Sequence, residues 1–246
     1  MITLNIQKLG LEILRNCNRS CPHCMRGPAQ KVYMERKTIE NFFDSPDYRI
    51  DEISELFFSG GEPTMNFEII NYLLEIIKRR KIKVRQVGTV INGSIYSEEL
   101  VLLLNEIVKT FPMDVANTER CFVRISGDQF HPDIDKDILS SYMELNRRGL
   151  AKIKYDLSII RKIIATGNAL KNNLGNYPFD EGSLLRYPDV YKEFYTCGNY
   201  STDYIYLNAL GYVFATAIGS YEQMDKNNLG NVNDGKSLVH ILRLNS

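Results

Sequence analysis

Three absences narrow what this chain can be. No stretch approaches the ~18 consecutive apolar residues that a membrane-spanning helix needs. The amino terminus has neither a basic leader followed by an apolar segment nor a small-residue cleavage site. Because 30 Lys and Arg residues balance 30 Asp and Glu residues, net charge gives no indication of a nucleic acid or an anionic membrane as partner. We therefore expect a cytoplasmic protein without nucleic-acid or membrane partners.

Cysteine is also scarce, with five residues among 246. The count is odd, and the cytosol keeps thiols reduced, so a disulfide framework is a poor explanation of them. Three of the five nevertheless fall within "CNRSCPHC", at Cys17, Cys21 and Cys24. Thiolates this close together are typical of sites for zinc, copper(I) or iron–sulfur clusters. No second CxxC pair follows to complete a structural zinc site, whereas a [4Fe–4S] cluster on three cysteines keeps one iron open for a ligand that is not protein.

A second motif follows about forty residues later, where an apolar and aromatic segment, "ELFF", leads to Gly60, Gly61, Glu62 and Pro63. Two glycines allow the backbone to approach a ligand closely, and a glutamate can accept hydrogen bonds from an ammonium group. Taken alone, this motif is equally typical of a turn before a helix that starts near residue 66.

Together, the CxxxCxxC and GGEP motifs resemble the signature of the radical S-adenosylmethionine (radical SAM) superfamily. The resemblance implies that Cys17, Cys21 and Cys24 are the catalytic metal ligands of a [4Fe–4S] cluster, and that the segment 60–63 meets the methionine amino group of SAM. It further implies reductive cleavage of SAM to a 5′-deoxyadenosyl radical, which abstracts hydrogen from a substrate. His23 stands where many members carry an aromatic residue and is expected near adenine. A zinc site that uses His23 with the three cysteines is the alternative.

The ends of later strands supply further candidates for the SAM site, because parallel sheets bind ligands at the carboxyl ends of their strands. Asn92 is similar to the asparagine of a "TNG" motif in peptide-modifying radical SAM enzymes, although a simple turn explains it equally well. The run "SGDQFH" resembles one that places Ser126 and Asp128 near the carboxylate and ribose of SAM. His131 is expected to be a loop histidine. Near residue 167, Asn168 replaces the arginine of a family segment that lies near adenosine.

Strand and helix patterns alternate along the first two thirds of the chain, which predicts an α/β fold with a parallel sheet. The resemblance to the radical SAM superfamily implies that this fold is a partial (βα)6 TIM-like barrel with a small carboxyl-terminal β-hairpin or twitch-like extension. The expected division is a core domain at 1–185 and an extension at 186–246, and the sixth unit is expected somewhere within 158–186 without defined bounds. The expected helices are 67–80, 98–109 with Ser97 as cap, and 138–148, and the expected strands include 11–15, 121–126 and 151–157.

After about residue 185 the chain becomes rich in tyrosine, asparagine and glycine, and a hairpin is expected to turn at 208–211. Cys197, Gly211 and the sequence that follows resemble the start of a SPASM or twitch extension, which carries additional clusters. The family places its next cysteine five residues after the glycine, where this chain has Thr216. Because a threonine hydroxyl is a poor ligand for iron, we expect one [4Fe–4S] cluster and a degenerate extension. Cys121, inside an apolar run, is expected to be a core residue.

These features predict a radical SAM enzyme with one [4Fe–4S] cluster and SAM as cofactors, and a flavodoxin- or ferredoxin-like protein as external electron donor. A peptide or protein side chain is the preferred substrate. A small molecule or nucleoside and the role of a glycyl-radical activating enzyme are alternatives within the family. A non-catalytic scaffold that binds a cluster or zinc is the alternative outside enzymes.

Overall fold

The computed structural model describes residues 2–112, 116–192 and 199–243. Within this part of the chain no helix is long and apolar enough to cross a membrane, and the cytoplasmic location stays a prediction. The strands are β1 (Ile2–Leu14), β2 (Tyr48–Gly60), β3 (Lys83–Ile91), β4 (Cys121–Ser126), β5 (Lys152–Asp156), β6 (Val190–Lys192), β7 (Asn199–Leu207), β8 (Tyr212–Phe214) and β9 (Gly230–Asn231). The helices are α1 (Arg36–Phe43), α2 (Phe67–Arg80), α3 (Glu98–Val108), α4 (Asn117–Arg120), α5 (Lys136–Arg147), α6 (Gly167–Lys171), α7 (Tyr221–Lys226) and α8 (Leu238–Ile241).

One mostly parallel sheet organises the fold, in the order β5-β4-β3-β2-β1-β7-β8-β9, with β6 beside β7. The strands from β5 to β7 in this order are all parallel, and β6, β8 and β9 are antiparallel to their neighbours. The predicted α/β class and partial TIM-like sheet are confirmed. The sixth parallel strand is β7, which pairs with β1 on the side away from β2 and lies outside the expected range of 158–186. The division of the chain at residue 185 stays a prediction.

Local sequence patterns placed most elements correctly. Helix α2 has the predicted bounds, and α3 begins as predicted after Ser97, whose hydroxyl accepts from the Leu100 N–H at 3.2 Å. The hairpin between β7 and β8 turns at the predicted residues, with Gly211 at a φ of 89°. Strand β1 begins nine residues earlier than the predicted start at Leu11, because alternating apolar side chains at its amino end are also buried in the core.

The two faces of the sheet differ in what covers them. Leu56 and Phe58 of β2 belong to the buried core with the apolar sides of α1, α2 and α3, and burial of each such side chain stabilises the fold by about 2 kcal/mol. On the opposite face, Phe57 is half-buried, and its ring lies 6.2 Å from that of Phe122 in β4. The Phe122 ring leans over β3 at Gly88, where an added Cβ would lie 2.1 Å from it. This second face is therefore aromatic and partly open.

Arg120 is a buried cation that joins several elements of the core. Its side chain is 5% exposed and donates to the carbonyl oxygens of Arg85, Val84, Val108 and Phe111 at 2.7–3.2 Å. Replacing Arg120 with methionine leaves these oxygens without their shared donor. We expect a loss of about 3 kcal/mol in the free energy of unfolding, measured by urea denaturation.

Arg124 provides the matched control for this substitution. It lies on the neighbouring strand β4, is exposed, and makes a long contact of 5.9 Å with the Phe122 ring. Arg124→Met should change the free energy of unfolding by no more than about 0.5 kcal/mol. Equal unfolding midpoints for the two variants would show that Arg120 does not hold the core together.

Candidate active site at the carboxyl ends of the parallel strands

Three thiols lie in the loop that follows β1. Cys17, Cys21 and Cys24 are half-buried and form no disulfide. Two turns shape this loop, because the Cys24 N–H donates to the Cys21 carbonyl at 3.2 Å and the Gly27 N–H donates to the Cys24 carbonyl at 3.4 Å. Burial, together with the neighbouring Cys24 and Cys17 thiols, raises the pKa of Cys21 to about 11. Thiolates grouped in this way need a positive partner, so the donor set suits a soft metal group.

The two glycines at the end of β2 bring the second motif against the cysteine loop. A Cβ at Gly61 would lie 1.9 Å from the Asn16 carbonyl oxygen, and one at Gly60 would lie 2.1 Å from that of Leu14. This close approach allows the N–H groups of Gly61 and Glu62 to donate to the same two carbonyls, each at 2.9 Å. A side chain at either glycine would push the end of β2 away from the cysteine loop. The two glycines therefore allow the segment 60–63 to pack against that loop.

The Glu62 carboxylate lies beneath the loop and is 1% exposed. One of its oxygens accepts from the Thr64 N–H and hydroxyl at 3.1 and 2.7 Å, and the other accepts from the Asn92 N–H at 2.7 Å. Burial raises the pKa of Glu62, and these donors oppose the rise. The Asn92 amide nitrogen also lies 3.8 Å from the Cys17 sulfur. Asn92 therefore connects the buried carboxylate to the cysteine loop.

The loop after β4 adds a polar group beside the cysteines. His131 Nδ1 lies 2.8 Å from Asp128 Oδ2, and its Nε2 lies 3.5 Å from the Cys21 sulfur. His131 is in a loop, as expected, and it also joins this site. The His23 ring stacks on Phe130 with centroids 4.5 Å apart, and its Nε2 lies 4.0 Å from Asp128. Burial lowers the pKa of His23, which favours the neutral imidazole.

Two buried nitrogen atoms in the cysteine loop have no hydrogen-bond partner among the described residues. They are Nη1 of Arg19 and Nδ1 of His23. A buried polar atom without a partner is destabilising by about 1–3 kcal/mol, so such atoms commonly mark the place of a polar ligand. The guanidinium suits an anionic group and the imidazole a heterocycle. A ligand with both an amino-acid end and a base fits this pair.

Comparison with known families decides the class of the protein. The family model of the Radical SAM superfamily matches residues 11–126, the stretch that contains the three thiols and the segment 60–63. Residues 11–126 carry a radical SAM domain. This domain supports an enzyme of the radical SAM class, whose members use an iron–sulfur cluster and SAM.

Comparison with solved structures finds one with the same fold as this chain and a second with a weaker likeness. The native structure of anSMEcpe with bound AdoMet and the Cp18Cys peptide is 14% identical, with a TM-score of 0.55, and the match covers 98% of this chain and 81% of that one. Streptococcus suis SuiB bound to the precursor peptide SuiA is 12% identical, with a TM-score of 0.46, and the match covers 97% of this chain and 64% of that one. No curated protein sequence matches this chain significantly. At 14% identity the likeness to anSMEcpe extends to the fold alone.

Asn168 supports the radical SAM cysteine loop from outside. Its backbone N–H donates to the Cys24 carbonyl at 2.9 Å, and its side-chain amide donates to the Cys21 carbonyl at 3.3 Å. Asn172 donates to the Pro22 carbonyl at 3.0 Å. The asparagine that replaces the family's arginine thus binds loop backbone. The family resemblance indicated the segment near residue 167 as part of the site, but the sequence did not predict that it binds the cysteine loop.

The remaining candidates differ in where the structure places them. Ser126 ends β4, two residues before Asp128, and is half-buried. Cys121 is fully buried in β4, and burial raises the pKa of its thiol to about 12, in agreement with the expected core role. Cys197 lies outside the described residues. Arg19 was missed from sequence, although its position between two of the cysteines was a usable signal.

Proposed function

We propose that this radical SAM enzyme cleaves SAM reductively at a single [4Fe–4S] cluster and abstracts hydrogen from a peptide or protein side chain. The observation that carries the proposal is one cluster of groups: three half-buried thiols, the buried Glu62 carboxylate and the unpartnered nitrogens of Arg19 and His23. When bound, the reduced cluster and SAM supply a 5′-deoxyadenosyl radical.

The residues of this chain would bind and orient the two cofactors. Cys17, Cys21 and Cys24 would hold three irons and keep one open for SAM. Glu62 would accept from the SAM ammonium group, because a buried carboxylate binds a cation strongly. The Arg19 guanidinium, with its free Nη1, suits the SAM carboxylate.

Other groups would shape the nucleoside end of the site. His23 would lie near adenine, in place of its present stacking on Phe130. Asp128 would accept from the ribose, and Ser126 would lie near the SAM carboxylate. Asn92 would fix Glu62 through its N–H. Gly60, Gly61 and Pro63 would act through the backbone, holding the end of β2 against the loop.

Two observations support a peptide or protein substrate. The fold is shared with anSMEcpe, whose structure holds the Cp18Cys peptide, and this chain covers 81% of it. The partly open face of the sheet carries aromatic rings at Phe57 and Phe122, a surface that suits an extended chain with apolar side chains. The single electron would come from a flavodoxin- or ferredoxin-like donor, because one cluster cannot supply its own reduction.

Anaerobic reconstitution tests this function directly. The full chain should bind about four irons with a matching amount of acid-labile sulfide, as one cubane requires. With a chemical reductant it should convert SAM to 5′-deoxyadenosine, measured by chromatography. Zinc at one per chain with neither iron nor sulfide would replace the proposal with the zinc alternative. If the chain binds iron and sulfide but does not cleave SAM, the non-catalytic scaffold is the correct alternative.

Substitution of Cys197 tests whether the chain binds one cluster or two. Cys197→Ala should leave iron content unchanged, because Thr216 stands where a second extension thiolate is needed. Saturation at about eight irons, or a fall in iron on this substitution, would show a second cluster.

A further inference from the structure

Two arginines flank the cysteine loop, and both bind the carboxyl-terminal part of the chain. Arg15 lies two residues before Cys17, and Arg26 lies two residues after Cys24. Between them the loop contains turns but no helix or strand, so it has few backbone hydrogen bonds of its own. Its conformation therefore depends on what holds its two ends.

The Arg15 guanidinium is fully buried and multiply bonded. It donates to both carboxylate oxygens of Asp225 at 2.8 and 2.6 Å, and its Nε donates to Glu12 at 2.8 Å. Gln30 accepts from the same side chain at 3.1 Å, and the Tyr221 ring lies 4.6 Å from the guanidinium carbon. A bidentate carboxylate is the strongest of these contacts. Helix α7 thus reaches the start of the cysteine loop through Asp225.

Arg26 makes the corresponding contacts at the other end of the loop. Its guanidinium donates to the Tyr206 hydroxyl at 2.8 Å and to the Gly219 carbonyl at 3.1 Å, and its own carbonyl accepts from the Tyr221 N–H at 3.0 Å. Helix α7 begins with a capping box formed by Ser220 and Gln223, which fixes its first turn. The same short helix therefore holds both ends of the loop.

The charges within this region balance. Arg15 and Arg26 are matched by Glu12 and Asp225, and Glu12 also accepts from the Tyr206 hydroxyl at 3.3 Å. Removing the Asp225 carboxylate leaves a fully buried guanidinium with one carboxylate fewer, and an uncompensated buried charge is strongly destabilising. The affected arginine is covalently joined to the loop two residues before the first thiol.

We propose that Asp225 is a positioning residue: its ion pair with Arg15 holds the cysteine loop in a cluster-binding conformation even without the cluster. The role assigned to the carboxyl-terminal segment is support of the three thiols rather than contact with a substrate. This role rests on the proposed cluster site, but the reactivity of the cluster-free thiols can be measured whatever the substrate and whether or not SAM is cleaved.

Thiol alkylation in the cluster-free full chain tests the proposal. In Asp225→Asn, we expect Cys17, Cys21 and Cys24 to react with N-ethylmaleimide about tenfold faster than in the unaltered chain, because the loop opens locally more often. Cys121 should react at an unchanged, slow rate. Mass spectrometry of peptides resolves the individual sites. Glu222→Gln, the same change of charge on the exposed side of α7, should have no effect.

A second measurement uses the reconstituted protein. Release of iron to a chelator should be about tenfold faster in Asp225→Asn than in Glu222→Gln, and Asp225→Glu should restore much of the difference. Unchanged alkylation of the loop cysteines would overturn the proposal. So would equal acceleration at Cys121, because the substitution would then destabilise the whole fold. If Asp225→Asn does not fold, Asp225→Glu alone must show an intermediate loop-specific acceleration, and its absence would also reject the role.

Discussion

Substitution of Cys21 by alanine is expected to abolish formation of 5′-deoxyadenosine. One of three thiolates is lost, and the remaining two, Cys17 and Cys24, cannot hold a cubane firmly. Loss of supporting contacts around a metal already lowers affinity or activity by 10- to 100-fold, so loss of a ligand should reduce SAM cleavage by at least about 100-fold. Iron content after anaerobic reconstitution should fall in parallel.

Cys121→Ala is the matched control for this experiment. It removes the same atoms from a fully buried position in β4, away from the loop. We expect wild-type iron content and SAM cleavage, with a loss of stability of about 1 kcal/mol. If Cys21→Ala retained both iron and SAM cleavage, the three-thiol site would be wrong.

Substitution of Glu62 by glutamine is expected to separate SAM binding from cluster assembly. The carboxylate accepts from three donors, one on Thr64 N, one on the Thr64 hydroxyl and one on Asn92 N. A glutamine amide would turn an NH2 group toward one of these donors and would also remove the negative charge that attracts the SAM ammonium group. Because a hydrogen bond to a charged group contributes about 1.5–3 kcal/mol, the dissociation constant of SAM should rise by about 10- to 100-fold.

Calorimetric titration of SAM into the reconstituted variant measures this effect. Glu68→Gln makes the same change on an exposed residue at the start of α2 and should leave the dissociation constant unaltered. Iron content should be normal in both variants. An unchanged dissociation constant in Glu62→Gln would remove Glu62 from the site. A parallel loss of iron would show that it supports the cysteine loop instead.

Sequence patterns captured the parts of this molecule that are local. The apolar period of α2, the glycine of the β7–β8 hairpin and the spacing of the three cysteines each depend on neighbouring residues, so they can be read directly. Glu62 is a candidate from sequence because its GGEP motif follows the CxxxCxxC motif at the expected distance. Each of these features is settled within about fifteen residues of chain.

The features that the sequence did not predict are contacts between segments that are far apart in the chain. β7 was expected within a hairpin but not as the partner of β1, because no local pattern tells a strand which edge it joins. The contact of His131 with Cys21, the bonds of Asn168 to the loop and the pairing of Arg15 with Asp225 join segments 110–210 residues apart. Each is polar and local periodicity does not encode it.

The place of β1 in the middle of the sheet sets the order in which the protein can mature. One neighbour, β2, is made soon after it, but β7 leaves the ribosome only on the order of 10–40 s later at ordinary rates of synthesis. Until then one edge of β1 is unpaired, and Asp225, further along the chain, is not yet available to Arg15. If Asp225 supports the loop as proposed, we expect insertion of the cluster to follow synthesis of residue 225, and chains shortened before that residue to expose three loosely held thiols to oxidants.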